Sequence, residues 1–297
     1  MDQAQQLRNV IRRREQNNLK AGSARMARIV TVTSGKGGVG KSNTTVNLAV
    51  QLSRAGKRVL IFDADFGLAN VEMMFGVIPK NNLSDFIYRG KGIRDIITPG
   101  PLDIGFISGG SGIIGLNNLD RDQIETLVNS VDELNDLADF IIIDTGAGVT
   151  EQVMKFVVAS PEVLLITTPD PCSLTDSYSL LKALYRHPDF DAGSASVRIV
   201  SNRVASEAEG QAVYDKLSSV VSQFLHGELD YLGPIPQDAA LEKAVRKQKP
   251  VSLLNPDARS SKAYAVISDN LLNGTHNAVT IRRGIAQMFS NFLLNRR

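Results

Sequence analysis

Residues 29–42 read Ile29-Val30-Thr31-Val32-Thr33-Ser34-Gly35-Lys36-Gly37-Gly38-Val39-Gly40-Lys41-Ser42. The β-branched run predicts a strand over 29–33. A helix over 42–55 follows, with Val46, Ala49, Val50 and Ser53 on one face and Gly56 placed to end it. Between them lies the pattern G-x-x-x-x-G-K-S, in the strand–turn–helix setting that gives it meaning. Glycines let successive backbone N–H groups turn inward around phosphate oxygens, and the helix start adds its positive dipole end. The candidate phosphate cradle is Gly35, Lys36, Gly37, Gly38, Val39, Gly40, Lys41, Ser42 and Asn43. Lys41 is placed to reach the terminal phosphates, and the Ser42 hydroxyl to ligate Mg²⁺.

Moving outward, near-continuous aliphatic runs predict further strands at 58–62, 104–107, 140–143, 163–167 and 197–200. Runs of this kind belong to parallel strands buried on both faces. The intervals are long enough for crossover helices, for example over 121–137 and 174–185. The fold class is therefore α/β, a doubly wound and mainly parallel sheet with helices on both faces. Ligands of such sheets bind at the carboxyl ends of the strands. Two strands end in carboxylates there. Asp63-Ala64-Asp65 places two of them on one side of the chain, and Asp144 closes Phe140-Ile141-Ile142-Ile143. Ser42, Asp65 and Asp144 are the candidate Mg²⁺ residues.

The chain has 297 residues, enough for one large domain or two. Its 43% hydrophobic and 22% charged residues are ordinary for a globular protein, which excludes wholesale disorder. The single cysteine, Cys172, excludes an internal disulfide framework, a Cys-based zinc site and an iron–sulfur cluster held by one chain. Cys172 itself reads as a small packed residue. His187, His226 and His276 are scattered without metal spacing. No apolar run approaches the ~20 residues of a membrane span, and the arginine-bearing start is not a secretory signal. The net charge of +2 is unevenly placed. Residues 1–28 carry Arg8, Arg12, Arg13, Arg14, Lys20, Arg25 and Arg28 against Asp2 and Glu15, and 279–297 carry four arginines and no acid. The body between is net acidic, so the ends are the parts suited to polyanions.

The string Lys36-Gly37-Gly38-Val39-Gly40-Lys41-Ser42 resembles the deviant Walker A motif of the MinD/ParA family of ATPases. That resemblance implies ATP and Mg²⁺ as ligands and a homodimer formed with ATP. Lys36 would cross the interface to the partner's nucleotide, so that Lys36, Lys41 and Asp65 form the catalytic set, Asp65 orienting the attacking water. Asp144 fits the Walker B position, although Gly146 stands where family members often carry a proline. The base is expected to be adenine, because the Asn/Thr-Lys-x-Asp pattern that reads guanine is absent. Asn202, Arg203, Pro236 and Asp238 match the positions that cradle adenine in MinD-like proteins. Slow intrinsic turnover is implied as well.

Both ends carry further signals. Ile281, Ile285, Met288, Phe289, Phe292 and Leu293 fall on one helical face, flanked by Arg282, Arg283, Arg296 and Arg297. Apolar moment with arginine and no acid is the pattern of an interfacial membrane helix, and a helix packed on the domain is the other reading. The candidate membrane residues are Ile281, Arg282, Ile285, Phe289, Phe292 and Leu293. At the start, Ala4, Leu7, Val10 and Ile11 form a narrow apolar stripe before Arg12, Arg13 and Arg14. This segment resembles the N-terminal motif of FlhG-type (YlxH) flagellar regulators within the family. The resemblance implies that Asp2, Gln3, Leu7 and Arg8 contact the SRP-type GTPase FlhF and stimulate it. It also allows a contact with flagellar C-ring proteins.

The expected organisation is an N-terminal helix and linker over 1–28, an ATPase domain over 29–274 and a membrane-targeting helix over 275–297. The expected function is an ATP-dependent switch that regulates flagellar number and placement, cytoplasmic and peripheral at the membrane when ATP-bound. The alternatives are a DNA-partition ATPase of ParA type, a cell-division regulator of MinD type, and a scaffold that binds nucleotide without hydrolysis. An acidic body and an apolar C-terminal stripe argue against nucleic acid as a partner.

Overall fold

The computed structural model describes residues 26–66, 68, 70–110, 130, 133–273, 285 and 288. The strand that opens the phosphate loop is β1 (Arg28–Thr33), buried at every position after Arg28. It leads into α1 (Lys41–Arg54). The chain continues through β2 (Val59–Ala64), α2 (Asn70–Phe75), α3 (Leu83–Arg89), β3 (Ile97–Pro99), β4 (Gly105–Ile107), α4 (Leu134–Leu137), β5 (Phe140–Thr145), α5 (Glu151–Ala159) and β6 (Glu162–Thr167). It then runs through α6 (Pro171–Tyr185), β7 (Ser196–Val204), α7 (Glu207–Leu225), β8 (Asp230–Pro236), α8 (Ala239–Arg246), α9 (Val251–Leu254) and α10 (Arg259–Asn273).

The strands form one eight-stranded sheet in the order β3-β4-β2-β5-β1-β6-β7-β8. All neighbours are parallel except β3 and β4. The doubly wound expectation holds, with an antiparallel edge strand too short to show a pattern in sequence. Pro99 ends that strand and removes a donor from the open edge.

Alternation along the central strands fills both faces of the sheet. Ile29, Ile141 and Ile143 join Leu83, Phe86 and Phe156 on one face. Val30, Val32 and Ile142 join Val46, Val50 and Tyr264 on the other. Each β-branched residue fills a pleat and meets a helix, which is why these runs read as continuously apolar. Helix α6 starts three residues before the predicted 174, because Asp170 caps it by accepting the Ser173 N–H at 2.9 Å and Pro171 takes the first position. Of the helix expected over 121–137, Leu134–Leu137 is seen as α4, and 111–129 lie outside the described residues.

Opposite the carboxyl ends, the sheet is tied by charge. The Arg28 guanidinium forks onto the Glu162 carboxylate through Nε and Nη2, donates from Nη1 to the Leu271 carbonyl at 2.6 Å and lies 5.4 Å from the Phe140 ring centroid. This ties β1, β6 and the end of α10 together. Among the described residues no helix is long and apolar enough to cross a membrane.

Candidate nucleotide site

The register of β2 on β5 sets Asp63 against Asp144 and Ala64 against Thr145. Residues paired this way face the same side of the sheet, so two carboxylates meet at the carboxyl ends of adjacent strands. Both are buried. Asp63 accepts the Asp65 N–H at 3.1 Å and the Val71 N–H at 3.2 Å, one on each oxygen, and so shapes the turn after β2. Asp144 Oδ1 accepts the Thr45 hydroxyl at 3.1 Å, and the nearby Ser42 hydroxyl favours the charged form of the same carboxylate. Thr45 did not stand out in the sequence. Its signal is the i, i+3 spacing from Ser42, which puts both hydroxyls on one face of α1.

The phosphate loop is held from three sides. A Cβ at Gly35 would lie 2.2 Å from the Asp176 backbone carbon, so the loop rests directly on α6. Gly40 caps α1 with φ 100°, and a Cβ there would meet Asn202 Nδ2 at 2.3 Å. That same Nδ2 donates to the Val39 carbonyl at 2.7 Å, while Asn202 Oδ1 accepts the Arg203 N–H. Asn202 thus reaches the site, but part of its amide braces the loop. Arg203 is exposed with φ 57° near the end of β7, Pro236 closes β8 opposite Val204, and Asp238 follows two residues later. Asp238 caps α8 through the Ala240 N–H at 2.9 Å and also accepts from Ser260.

Inside the loop the Lys41 side chain is buried, and burial pulls its ammonium below the ordinary lysine value against the attraction of Asp144 and Asp65. Asp65 is half-buried, and its Oδ2 accepts the Asn70 amide at 3.0 Å. A Cβ on Gly146 would come 3.5 Å from Asp65 Oδ1, so the loops after β2 and β5 meet at this carboxylate. The second loop is tied back to the first by Gly148 N–H donating to the Ser34 carbonyl at 2.9 Å. Lys36 stands at the rim with Nζ 3.6 Å from Asp170.

The residues fit Mg²⁺ held together with phosphate. Asp144 Oδ2 is buried without a hydrogen-bond partner in a site that already supplies the Ser42 hydroxyl. Among the described residues no group of three or more His, Cys, Asp or Glu side chains could hold a metal by itself. Mg²⁺ commonly takes one or two carboxylates and completes its shell with water and phosphate oxygens, so this sparse donor set suits it.

The same crowding predicts a pH response. Burial, then the charge of Asp144, pushes Asp63 up to about 8, against the Val71 and Asp65 N–H groups, and burial also raises Asp144. With the folded pKa raised, the native chain binds more protons than the unfolded one, and stability falls as pH rises from about 4 to about 8. Melting midpoints of the nucleotide-free chain should therefore drop across that window more steeply than those of Asp63→Asn, whose lost acceptor adds only a pH-independent offset. Parallel curves would refute the assignment.

The remaining sequence expectations fall elsewhere. Cys172 is exposed in the first turn of α6, which corrects the expectation of a packed residue: the following Ser173, not Cys172, turns inward to Thr167 and Thr168. Ile285 and Met288 are fully buried in the cluster that contains Leu83, Phe86, Leu134 and Phe156. Ile281, Arg282, Phe289, Phe292 and Leu293 lie outside the described residues, as do Asp2, Gln3, Leu7 and Arg8.

Residues 30–251 match the CobQ/CobB/MinD/ParA nucleotide binding domain. The antiactivator FleN of Pseudomonas aeruginosa is 37% identical over 250 residues, covering 84% of this chain and 88% of that protein. The flagellum site-determining protein YlxH of Helicobacter pylori is 34% identical over 249 residues, covering 83% and 82%. The solved structure of the septum site-determining protein MinD from Pyrococcus horikoshii, complexed with Mg-ADP, has a TM-score of 0.66 at 25% identity, covering 84% of this chain and 98% of that one. With its glycine loop, paired strand-end carboxylates and sheet order, the chain belongs to the CobQ/CobB/MinD/ParA nucleotide-binding family and is an ATPase of the MinD/ParA type that uses ATP and Mg²⁺.

Proposed function

We propose that this chain is an ATP-operated switch that pairs with a second copy, attaches to the membrane when ATP-bound and regulates the number and placement of flagella. The relative named a flagellum site-determining protein, aligned over more than four-fifths of the chain, supports the biological setting. The observation that carries the switch is the meeting of the loops after β2 and β5 at Asp65, with the second of these loops bonded to the phosphate loop through Gly148 and Ser34.

In this reading Lys41 and the loop N–H groups hold the phosphates, and Asp65 orients the water that attacks the terminal phosphorus. Lys36 of the second copy adds positive charge to the developing transition state. Mg²⁺ supplies charge neutralisation across the phosphate oxygens when bound. Asn202, Arg203, Pro236 and Asp238 surround the base.

The C-terminal segment is the membrane element. Ile285 and Met288 are packed away in the described conformation. Phe66, next to Asp65, lies against their cluster and 6.4 Å from Phe156. A change at Asp65 therefore has a route of packed rings toward that cluster. One short helix binds lipid weakly, whereas two joined in a dimer act at raised effective concentration. The N-terminal segment is the contact for an SRP-type GTPase.

Sedimentation with anionic vesicles tests this. The ATP form should sediment at least about tenfold more than the ADP form, and Phe289→Glu should lose that gain, because a charge enters the lipid-facing side. Equal sedimentation in both nucleotides rejects the membrane switch. A peptide of residues 1–23 should stimulate the GTPase, and alanines at Gln3, Leu7 and Arg8 should abolish the effect; undiminished stimulation would reduce the segment to a basic tail.

A further inference from the structure

The last turn of α8 carries a positive surface that the nucleotide site leaves unused. Lys243, Arg246, Lys247 and Lys249 lie within seven residues that hold no acid, in a chain whose body is net acidic. All four are exposed, and among the described residues none of them is in an ion pair. The preceding acid, Glu242, accepts the Gln237 amide at 2.8 Å. The helix dipole favours a cation in a last turn, which accounts for one or two of these charges and not for four. The backbone beneath them is held. Lys249 N–H donates to the Ala244 carbonyl at 3.2 Å and Gln248 N–H to the Val245 carbonyl at 2.9 Å, with Gln248 at φ 53°, so α8 ends in a closed left-handed turn. That turn rests on the end of α2, where a Cβ at Gly76 would lie 3.2 Å from the Gln248 carbonyl oxygen. Ile78 follows Gly76 at a chain distance of at most about 7 Å. It is 90% exposed, and Val245 on α8 is exposed as well. One bare apolar side chain is ordinary, but two beside a cluster of cations make a mixed surface, an apolar anchor point with a positive rim.

We propose that the end of α8 and the neighbouring Ile78 form a docking surface for an acidic, amphipathic segment of a partner protein. Its carboxylates would meet the four cations, and its aliphatic or aromatic side chains would cover Ile78 and Val245. Complementary charge speeds encounter and fixes register, while the covered apolar anchors supply most of the affinity. Chemistry separates this occupant from two others. A nucleic-acid backbone uses the charges and leaves Ile78 in water. A lipid surface uses both, but the C-terminal residues read as the membrane element lie on the other face of the sheet. Ile285 and Met288 pack with Ile29 and Ile141, whereas Ala244 of α8 packs with Val30 and Ile142. The positive surface is therefore not a continuation of that element.

The test is fluorescence anisotropy of the full chain with three labelled probes. They are a short glutamate peptide with leucines at helical i, i+3 and i+4 spacing, a polyglutamate of equal charge and a DNA duplex. The amphipathic peptide should bind at least about fivefold tighter than polyglutamate, the gain expected from covering part of one aliphatic side chain. Replacing Lys243, Arg246 and Lys247 together by glutamine keeps helix propensity and removes three charges. That variant should bind the peptide on the order of tenfold more weakly, as several exposed ion pairs are lost at once. Ile78→Ser should weaken the amphipathic peptide by about threefold or more and leave polyglutamate unchanged, a split that attraction by charge alone does not give. Melting midpoints equal to wild type separate loss of docking from loss of fold; if the triple variant melts lower, Lys247→Gln and Ile78→Ser carry the test. A peptide that does not bind, or that binds the charge variants and Ile78→Ser as it binds wild type, overturns the proposal. A duplex that binds more tightly than the peptide and is lost in the charge variants would make this a nucleic-acid surface instead. Sedimentation with anionic vesicles that is lost in the charge variants would make it a lipid surface.

Discussion

Asp65→Ala should bind ATP and pair as wild type does, yet turn over at least about 100-fold more slowly, in the range by which a positioned carboxylate acts on a proton or a water. The structure separates these effects. The Asp65 carboxylate makes no bond to the phosphate loop; its described anchor is the Asn70 amide at 3.0 Å. Removing it leaves Gly35 to Ser42, the Asn202 brace on Val39 and the Asp144–Thr45 contact in place. Asp63 is different. Its two oxygens hold the Asp65 and Val71 N–H groups, so its loss disturbs the turn that presents Asp65. The measurement is single-turnover hydrolysis beside a direct ATP-binding titration. Hydrolysis at the wild-type rate would remove Asp65 from the catalytic role. Loss of binding along with hydrolysis would make it a structural residue instead.

Gly35→Ala should cost more than its single methyl group suggests. The added Cβ would sit 2.2 Å from the Asp176 backbone carbon and 2.5 Å from the Ser177 nitrogen, both in the body of α6. A helix backbone cannot rotate away as a side-chain tip can. Either α6 shifts or the loop lifts off it, and overpacking of this sort costs on the order of 1–3 kcal/mol. Lifting the loop also disturbs the Ser34 carbonyl that holds Gly148 and the Ser34 hydroxyl that holds the Lys36 carbonyl. ATP affinity should fall by more than about 100-fold, because the inward-facing N–H groups lose their common centre. Thermal melting and nucleotide titration check both parts. A variant that melts and binds like wild type would show that α6 yields there.

The phosphate loop, the alternation of strands and helices and the carboxylates at Asp63, Asp65 and Asp144 were legible because each is written locally. Glycine spacing, aliphatic runs and strand-end acids depend on neighbours along the chain. The edge strand β3 was not legible, since Ile97-Thr98-Pro99 is too short to carry a period. Helix α6 starts three residues before its apolar repeat indicates, because a cap is set by one side chain, Asp170, and not by the repeat. Ile285 and Met288 show the opposite limit. The repeat from Ile281 to Leu293 is equally suited to lipid and to protein, and an apolar face does not state its partner. The tertiary structure placed those two side chains in the cluster with Leu134 and Phe156.

By itself the sequence determined the fold class, the nucleotide loop and the set of acids able to serve it, because local pattern dictates local backbone. Only the tertiary structure decided which of those groups meet. The register of β2 on β5 brought Asp63 to Asp144, α1 turned Thr45 toward them, and the end of β7 carried Asn202 to the loop and committed part of its amide to Val39. The start of α6 set Asp170 within reach of Lys36. Those juxtapositions join residues far apart in the chain, and they follow from strand order and close packing, which no short stretch of sequence contains.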